Sequence, residues 1–308
     1  MSQTATADVS ASIDASTPAG ALSAARHDQP LTITPTDGAL GAVVMGIDLT
    51  QPLSPTHYLQ LKQAWLEHHI LIFKGQRLTD EQLLDFTTYF GDVFHPPGHI
   101  PVLATNEQGL TPDIVKVSNV KGGYTGNGEL SAHVDHQWTP RPSKASALYA
   151  RQIPSTGGDT YWYNLNLAWE TLDSHIRQSI AGLSLITYNP FLNRDSSRPG
   201  YRVPDNPPKG EAHPHPLVTT HPESGNKQLF LGEATEVEIP ELDYASGKAL
   251  IEKLRAHLYI PTHRYEHRWE VGDVVLWDNR ATAHYRSAFD EREIRDMRRV
   301  SLAGGRPL

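Results

Sequence analysis

Cysteine is absent from the 308 residues. With no thiol there is no disulfide, no thiolate metal site, no iron–sulfur cluster and no cysteine nucleophile, and the redox compartment is left open. Any metal must be held by His, Asp or Glu. An excess of positive charge is also missing: 27 Lys and Arg stand against 35 Asp and Glu, a formal net charge of −8. That balance argues against a general nucleic-acid-binding surface. No apolar run approaches the roughly 20 residues of a membrane span. The first 30 residues are rich in Ala, Ser and Thr but have neither a basic start nor an apolar stretch. They do not read as a signal peptide, and a cytoplasmic location is the default expectation. Residues 1–28 are expected to form a poorly ordered tail.

What is present fits a folded protein: 38% hydrophobic and 20% charged residues, with ample core for a single domain over 29–308. Short strands are expected at Leu31–Ile33 and Ala42–Met45. Ser54 as N-cap, Pro55 behind it and the stripe Tyr58, Leu61, Trp65 predict a helix, which runs into a buried strand at His69–Phe73. Thr79-Asp80-Glu81-Gln82 is a capping-box signature opening a helix that Gly91 closes. Further helices are expected over Asn166–Ala181 and about Ser246–Leu258. Val218–Thr220 with Gln228–Leu231 reads as one hairpin, and Tyr265–Trp269 with Val274–Trp277 as a second. The aperiodic segment rich in Pro, Arg and Asp at about 190–216 reads as an insertion, a candidate lid. The expected fold is mainly β with flanking helices, built on a β-sandwich or jelly roll.

The chemistry begins at AHVDHQW, residues 132–138. In a strand, His133 and Asp135 share one face and His136 takes the other, so the first two can grip one ion while the third points away. A lone His-x-Asp also arises by chance in a chain with 16 histidines. A third ligand is available in His284, which follows the apolar run Val274–Trp277 and the turn-prone pair Asp278-Asn279. Two imidazoles and a carboxylate suit non-haem Fe(II) and leave positions open, but zinc accepts the same set. Downstream, Arg295, Met297 and Arg299 share one face of an expected strand. Inward guanidiniums are costly unless they meet anions, so carboxylate or sulfonate partners are expected; a solvated basic edge strand is the plainer alternative.

Together these segments resemble the taurine/2,4-dichlorophenoxyacetate dioxygenase family of Fe(II)/2-oxoglutarate enzymes, from about Leu31 to Pro307. His133-Val134-Asp135 resembles the first two iron ligands, and the segment from Trp277 to His284 the one carrying the third. Gly157-Gly158-Asp159-Thr160 resembles the family's segment whose threonine bonds the distal carboxylate of 2-oxoglutarate. Arg295 falls where the family holds that same carboxylate, and Arg299 where several members hold the anionic group of the primary substrate. Ala132 and Val134 depart from the family's usual aromatic residue and Thr or Ser. His136 falls where members line the substrate pocket, and His95, in Phe90–Pro96, resembles a substrate-contacting histidine of one branch. The resemblance implies a double-stranded β-helix core, Fe(II) as cofactor, 2-oxoglutarate and O2 as co-substrates, succinate and CO2 as by-products, and oxidation of a C–H bond in a small organic anion. A homo-oligomer, dimer or tetramer, is expected, with no nucleic-acid or membrane partner. The rivals are a zinc hydrolase using the same triad and a jelly-roll protein that binds metal or ligand without turnover.

Overall fold

The computed structural model describes residues 1, 30–98, 100–106, 108–191, 213–232 and 237–308. The tail expected over 1–28, its first residue apart, and positions 192–212 of the expected insertion lie outside the described residues.

The chain enters through β1 (Thr32–Pro35) and β2 (Ala42–Met45), paired antiparallel. Helix α1 (Pro55–His68) starts where the Ser54 hydroxyl accepts from the His57 N–H, and it stops at His69, whose φ of 64° is left-handed. Four fully buried residues then form β3 (Ile70–Phe73). Helix α2 (Asp80–Thr88) carries the expected reciprocal cap. Thr79 Oγ1 accepts from the Gln82 N–H at 3.2 Å, and Gln82 Oε1 accepts from the Thr79 N–H at 2.9 Å. Strands β4 (Val115–Ser118), β5 (Leu130–His133), β6 (Ala145–Gln152) and β7 (Thr160–Asn164) follow.

Where one helix is expected over Asn166–Ala181, two are found: α3 (Leu165–Glu170) and α4 (Ser174–Ile180). Asp173 makes the break. Its side chain accepts from the N–H groups of His175 and Ile176, a capping geometry that competes with continuing the helix. After it come β8 (Ser184–Thr187), β9 (His213–Pro216), β10 (Val218–Thr220), β11 (Lys227–Leu229), β12 (Val237–Glu238) and α5 (Tyr244–Leu258). The end of the expected insertion is therefore a strand, β9, paired with β8. The chain closes with β13 (Arg264–His267), β14 (Val274–Asp278), β15 (Thr282–Arg286) and β16 (Asp296–Leu302).

A seven-stranded sheet has the order β1-β2-β3-β14-β6-β16-β4, and a four-stranded sheet the order β13-β7-β15-β5. From β4 to β7, and again from β13 to β16, successive strands alternate between the two sheets. The first expected hairpin is present as β10 and β11. The second is not: β13 pairs with β7 in one sheet, while β14 lies between β3 and β6 in the other. The reason is burial. Every residue of β14 is buried, so it needs a central position with both faces covered, whereas Arg-Tyr-Glu-His of β13 tolerates an edge.

One face of the large sheet packs Leu71, Phe73, Tyr149 and Leu276 on Leu61, Trp65 and Phe86 of the helices. The opposite face presents Ile70, Ile72, Val275, Trp277 and Met297 to Trp162 of the small sheet. The space between the two sheets is where Arg299, two residues beyond Met297, and His284 are directed. The outer face of the small sheet is covered by α3 and α5 through Ala168, Ile251 and Leu254. The protein is thus mostly sheet with few helices. Among the described residues no helix is long and apolar enough to cross a membrane.

Candidate metal centre and anion pocket

His133 and His284 are direct register partners on β5 and β15. Side chains directly opposite in an antiparallel pair lie ~5 Å apart at Cβ, and here the two imidazole centroids are 4.2 Å apart. Strand pairing therefore brings together two histidines separated by half the chain. Asp135 arrives differently from the expected strand alternation. Strand β5 ends at His133, and the chain turns through His136 at φ 59°, with Thr139 N–H bonded back to the His136 carbonyl at 2.9 Å. That turn delivers Asp135 Oδ1 to 3.5 Å from His133 Nε2 and Oδ2 to 3.9 Å from His284 Nε2. The three candidate ligand atoms all lie within 4.8 Å of one another.

Asn279 locks the turn. Its Oδ1 accepts from the Asp135 N–H at 2.9 Å, while its Nδ2 donates to the carbonyls of Asp135 and Ser143, both at 2.8 Å. The Ser146 hydroxyl donates to Asp135 Oδ2 at 3.3 Å. His133 Nδ1 lies 2.8 Å from the Ser131 carbonyl, which places the ring proton there and leaves the Nε2 lone pair facing the centre.

The donors fit a divalent cation on charge as well as on distance. Burial alone would raise the Asp135 carboxyl, but the Arg299 guanidinium beside it holds it well below the usual carboxylate range. Burial and the neighbouring His133 push His284 down to about 3, so its ring is neutral. An ionised carboxylate and neutral imidazoles are the ligand states a metal requires.

Arg299 stands beside this cluster on β16, its Nη1 3.3 and 3.4 Å from the two Asp135 oxygens. It faces inward as the alternation predicts, while Arg298 faces outward to Asp80 and Asp296. A small cavity next to Arg299 is walled by Phe94, Val102, Thr111 and His136. His136 stacks on Phe94, with centroids 4.2 Å apart and planes at 19°, and its Nδ1 is 2.9 Å from Ser143 Oγ. It lines the pocket and stays outside the ligand cluster. His95 is half exposed and pairs with Asp113 at 3.3 Å; its neighbour Phe94 is the residue that meets His136.

A second candidate anion site is built on Gly157 and Gly158, both with left-handed φ (74° and 72°). A Cβ on Gly158 would lie 3.1 Å from Arg295 Cδ, and one on Gly157 2.4 Å from the Ala288 carbonyl oxygen. The paired glycines let the backbone fold close around Arg295, whose Nε donates to the Gly158 carbonyl at 3.0 Å. The Arg295 guanidinium sits 5.9 Å from the Trp269 ring, and the Trp269 indole N–H donates to Thr160 Oγ1 at 3.0 Å. Among the described residues no carboxylate pairs with Arg295. Burial, reinforced by Arg286, pulls its pKa down to about 9.

Sequence reasoning missed Asn279, Trp269 and Arg286. Asn279 reads as part of a turn, and nothing in its spacing reveals that it clamps a segment 144 residues away.

Two buried histidines give the fold an acid-side weakness. Burial pushes His69 and His136 each down to about 4 from 6.5. Between those values the unfolded chain binds more protons than the folded one, so stability rises with pH across the window and falls as pH drops from 6.5 toward 4. Each costs the fold roughly 3 kcal/mol at the acid end. Urea midpoints measured from pH 7 to pH 5 are expected to fall, and less steeply in His69→Asn, which keeps a residue suited to the left-handed position. Equal pH slopes in the two proteins would remove His69 from the account.

Comparison with known proteins places this geometry. The sequence matches the family described as taurine catabolism dioxygenase TauD, TfdA over residues 30–301. It is 31% identical to the (S)-phenoxypropionate/alpha-ketoglutarate-dioxygenase of Sphingobium herbicidovorans, covering 88% of this chain and 94% of that protein. It is also 31% identical to the alpha-ketoglutarate-dependent sulfate ester dioxygenase of Pseudomonas putida, covering 94% of each. The crystal structure of AAD-2 in complex with Mn(II) and N-oxalylglycine superposes with a TM-score of 0.74 at 28% identity, over 91% of this chain and 99% of that one.

Proposed function

Since the chain belongs to the TauD, TfdA dioxygenase family, we propose that it oxidises a C–H bond of a small organic anion, with His133, Asp135 and His284 holding Fe(II). The observation that carries this reading is the convergence of three ligand atoms within 4.8 Å in a chain of that family. Fe(II) bound there, with 2-oxoglutarate and O2, supplies the oxidising power, and succinate and CO2 are the by-products. The two facing sheets with their alternating strands are read as a double-stranded β-helix, the jelly roll of all-β architecture.

The residues around the centre have separable tasks. Arg295 and Thr160 hold the distal carboxylate of 2-oxoglutarate. Because Thr160 Oγ1 already accepts from Trp269, its own hydroxyl proton is left to donate to that carboxylate. Buried donors of this kind gain strength from exclusion of water. Arg299 takes the anionic group of the primary substrate, and the Phe94–His136 stack forms the adjoining wall. The family membership favours the oxygenase over a zinc hydrolase, and a buried cation at Arg295 with no paired carboxylate among the described residues suits a dicarboxylate co-substrate.

The test is anaerobic addition of Fe(II) and 2-oxoglutarate, followed by an assay of O2-dependent succinate release. The panel is alkyl and aryl carboxylates, sulfonates and sulfate esters, the last class chosen with the Pseudomonas putida relative in view. Succinate release that depends on one of these anions supports the proposal. Turnover without O2 and with zinc would replace it with the hydrolase. Arg299→Ala is expected to raise the substrate KM by about 10- to 100-fold, the loss of one charge-assisted contact. An unchanged KM would mean that the anion binds elsewhere.

A further inference from the structure

Arg286 lies two residues beyond His284 on β15, and its burial and hydrogen bonds set it apart from an ordinary surface arginine. Residues i and i+2 of a strand share a face. Here Ala283 and Tyr285 pack on the outer, helix-covered side, which turns His284 and Arg286 together into the space between the sheets. Two steps along a strand cover ~7 Å, comparable to the reach of a five-carbon diacid chelated at one end. The register partner of Arg286 on β7 is Thr160. The pairing runs on past the strand, with the Ser287 N–H on the Asp159 carbonyl and the Gly158 N–H on the Ala288 carbonyl. Arg286 therefore borders residues 158–160, the same segment that seats Arg295.

The side chain is buried. Its Nη1 donates to the Gly126 carbonyl at 2.9 Å and its Nη2 to the Gly128 carbonyl, but Nε has no partner. Among the described residues no carboxylate pairs with it. Two guanidiniums thus approach one short segment and meet carbonyl oxygens and the rings of Phe289 and Trp269, with Asp159 the one nearby opposing charge on Arg295 and not in contact with it. Buried charges without a counter-ion are costly, and like charges side by side more so. Burial and mutual repulsion act on Arg295 in that direction. One anion placed between the two relieves both.

We propose that Arg286 is a second cation for the distal carboxylate of 2-oxoglutarate, so that the co-substrate is gripped by two guanidiniums and the Thr160 hydroxyl. The inference rests on the reading of this site as a 2-oxoglutarate site. Arg286 acts as a positioning and selectivity residue for the dicarboxylate, and through its carbonyl contacts it couples the 126–128 loop to the co-substrate's presence.

The experiment is calorimetric binding to the Mn(II)-loaded protein, with no turnover, using 2-oxoglutarate and 2-oxobutyrate as probes. The second probe keeps the chelating keto-acid end and lacks the distal carboxylate. Arg286→Gln retains a donor for the Gly126 carbonyl and removes the charge; Arg286→Lys keeps the charge without the fork. Arg286→Gln is expected to weaken 2-oxoglutarate by about 10- to 100-fold and leave 2-oxobutyrate unchanged, with Arg286→Lys between it and the wild type. Equal weakening of both probes, or a fall in melting temperature with 2-oxoglutarate affinity intact, makes Arg286 a loop clamp only and overturns the proposal. If the wild-type Mn(II) protein binds no 2-oxoglutarate, the reading of the site falls first and this inference with it.

Discussion

Asp135→Ala is expected to abolish turnover and metal retention together and to destabilise the fold. The carboxylate serves two neighbours at once: it completes the proposed ligand set with His133 and His284, and it is the only anion paired with Arg299 among the described residues. Losing it removes a charged ligand from a three-residue set, which two imidazoles do not replace. It also leaves a buried guanidinium uncompensated, a loss that typically costs roughly 3–5 kcal/mol. Because the folded pKa of Asp135 is depressed, this contribution is complete at neutral pH and fades only as pH falls through the folded value. Asp135→Asn separates the two roles. The amide keeps the shape and a contact for Ser146 but neither the charge nor the ion pair, so metal content and denaturation midpoint should both fall. Metal content after dialysis, succinate release and urea midpoints check this. A variant that still carries stoichiometric iron and turns over would remove Asp135 from the centre.

Arg295→Ala is expected to weaken 2-oxoglutarate by about 100-fold or more, since a guanidinium–carboxylate fork makes two charge-assisted bonds. Iron binding should be unaffected, because the triad lies on other elements. Arg295→Lys is not expected to rescue: Nε is engaged by the Gly158 carbonyl at 3.0 Å, and an ammonium has no second arm for the ligand. Gly158→Ala should shift affinity the same way without touching a charge. Its Cβ would crowd Arg295 at 3.1 Å, and its φ is left-handed. The readout is the affinity for 2-oxoglutarate on Fe(II) protein under anaerobic conditions. Unaltered affinity in Arg295→Ala would mean that the distal carboxylate is held elsewhere.

Much of the candidate site's geometry was legible because it is carried by residue types at fixed spacing. His133 and Asp135 stand two apart, and eleven positions separate His284 from Arg295. The inward face of Met297 and Arg299 followed from period-2 alternation. The route to the Asp135 position did not, because a left-handed His136 turns the chain just where alternation was assumed. The β13–β14 hairpin failed for a different reason. A turn between two strand-like runs says nothing about which sheet each joins; that choice was made by the apolar load of β14. The helix break at Asp173 was in principle readable, since an Asp in mid-helix is a cap candidate, but the apolar periodicity on either side masked it. Asn279 was invisible, because only folding brings it to Asp135.

Strand β5 is a four-residue edge strand of its sheet, joined to β15 only at His284 and Arg286. A metal held, as proposed, by residues 133, 135 and 284 would therefore rivet a loosely stitched margin to the interior. Stripping it with a chelator should show itself as fraying of that margin, with the seven-stranded slab left whole, so that the first thing the protein loses without its ion is the shape of the seat itself.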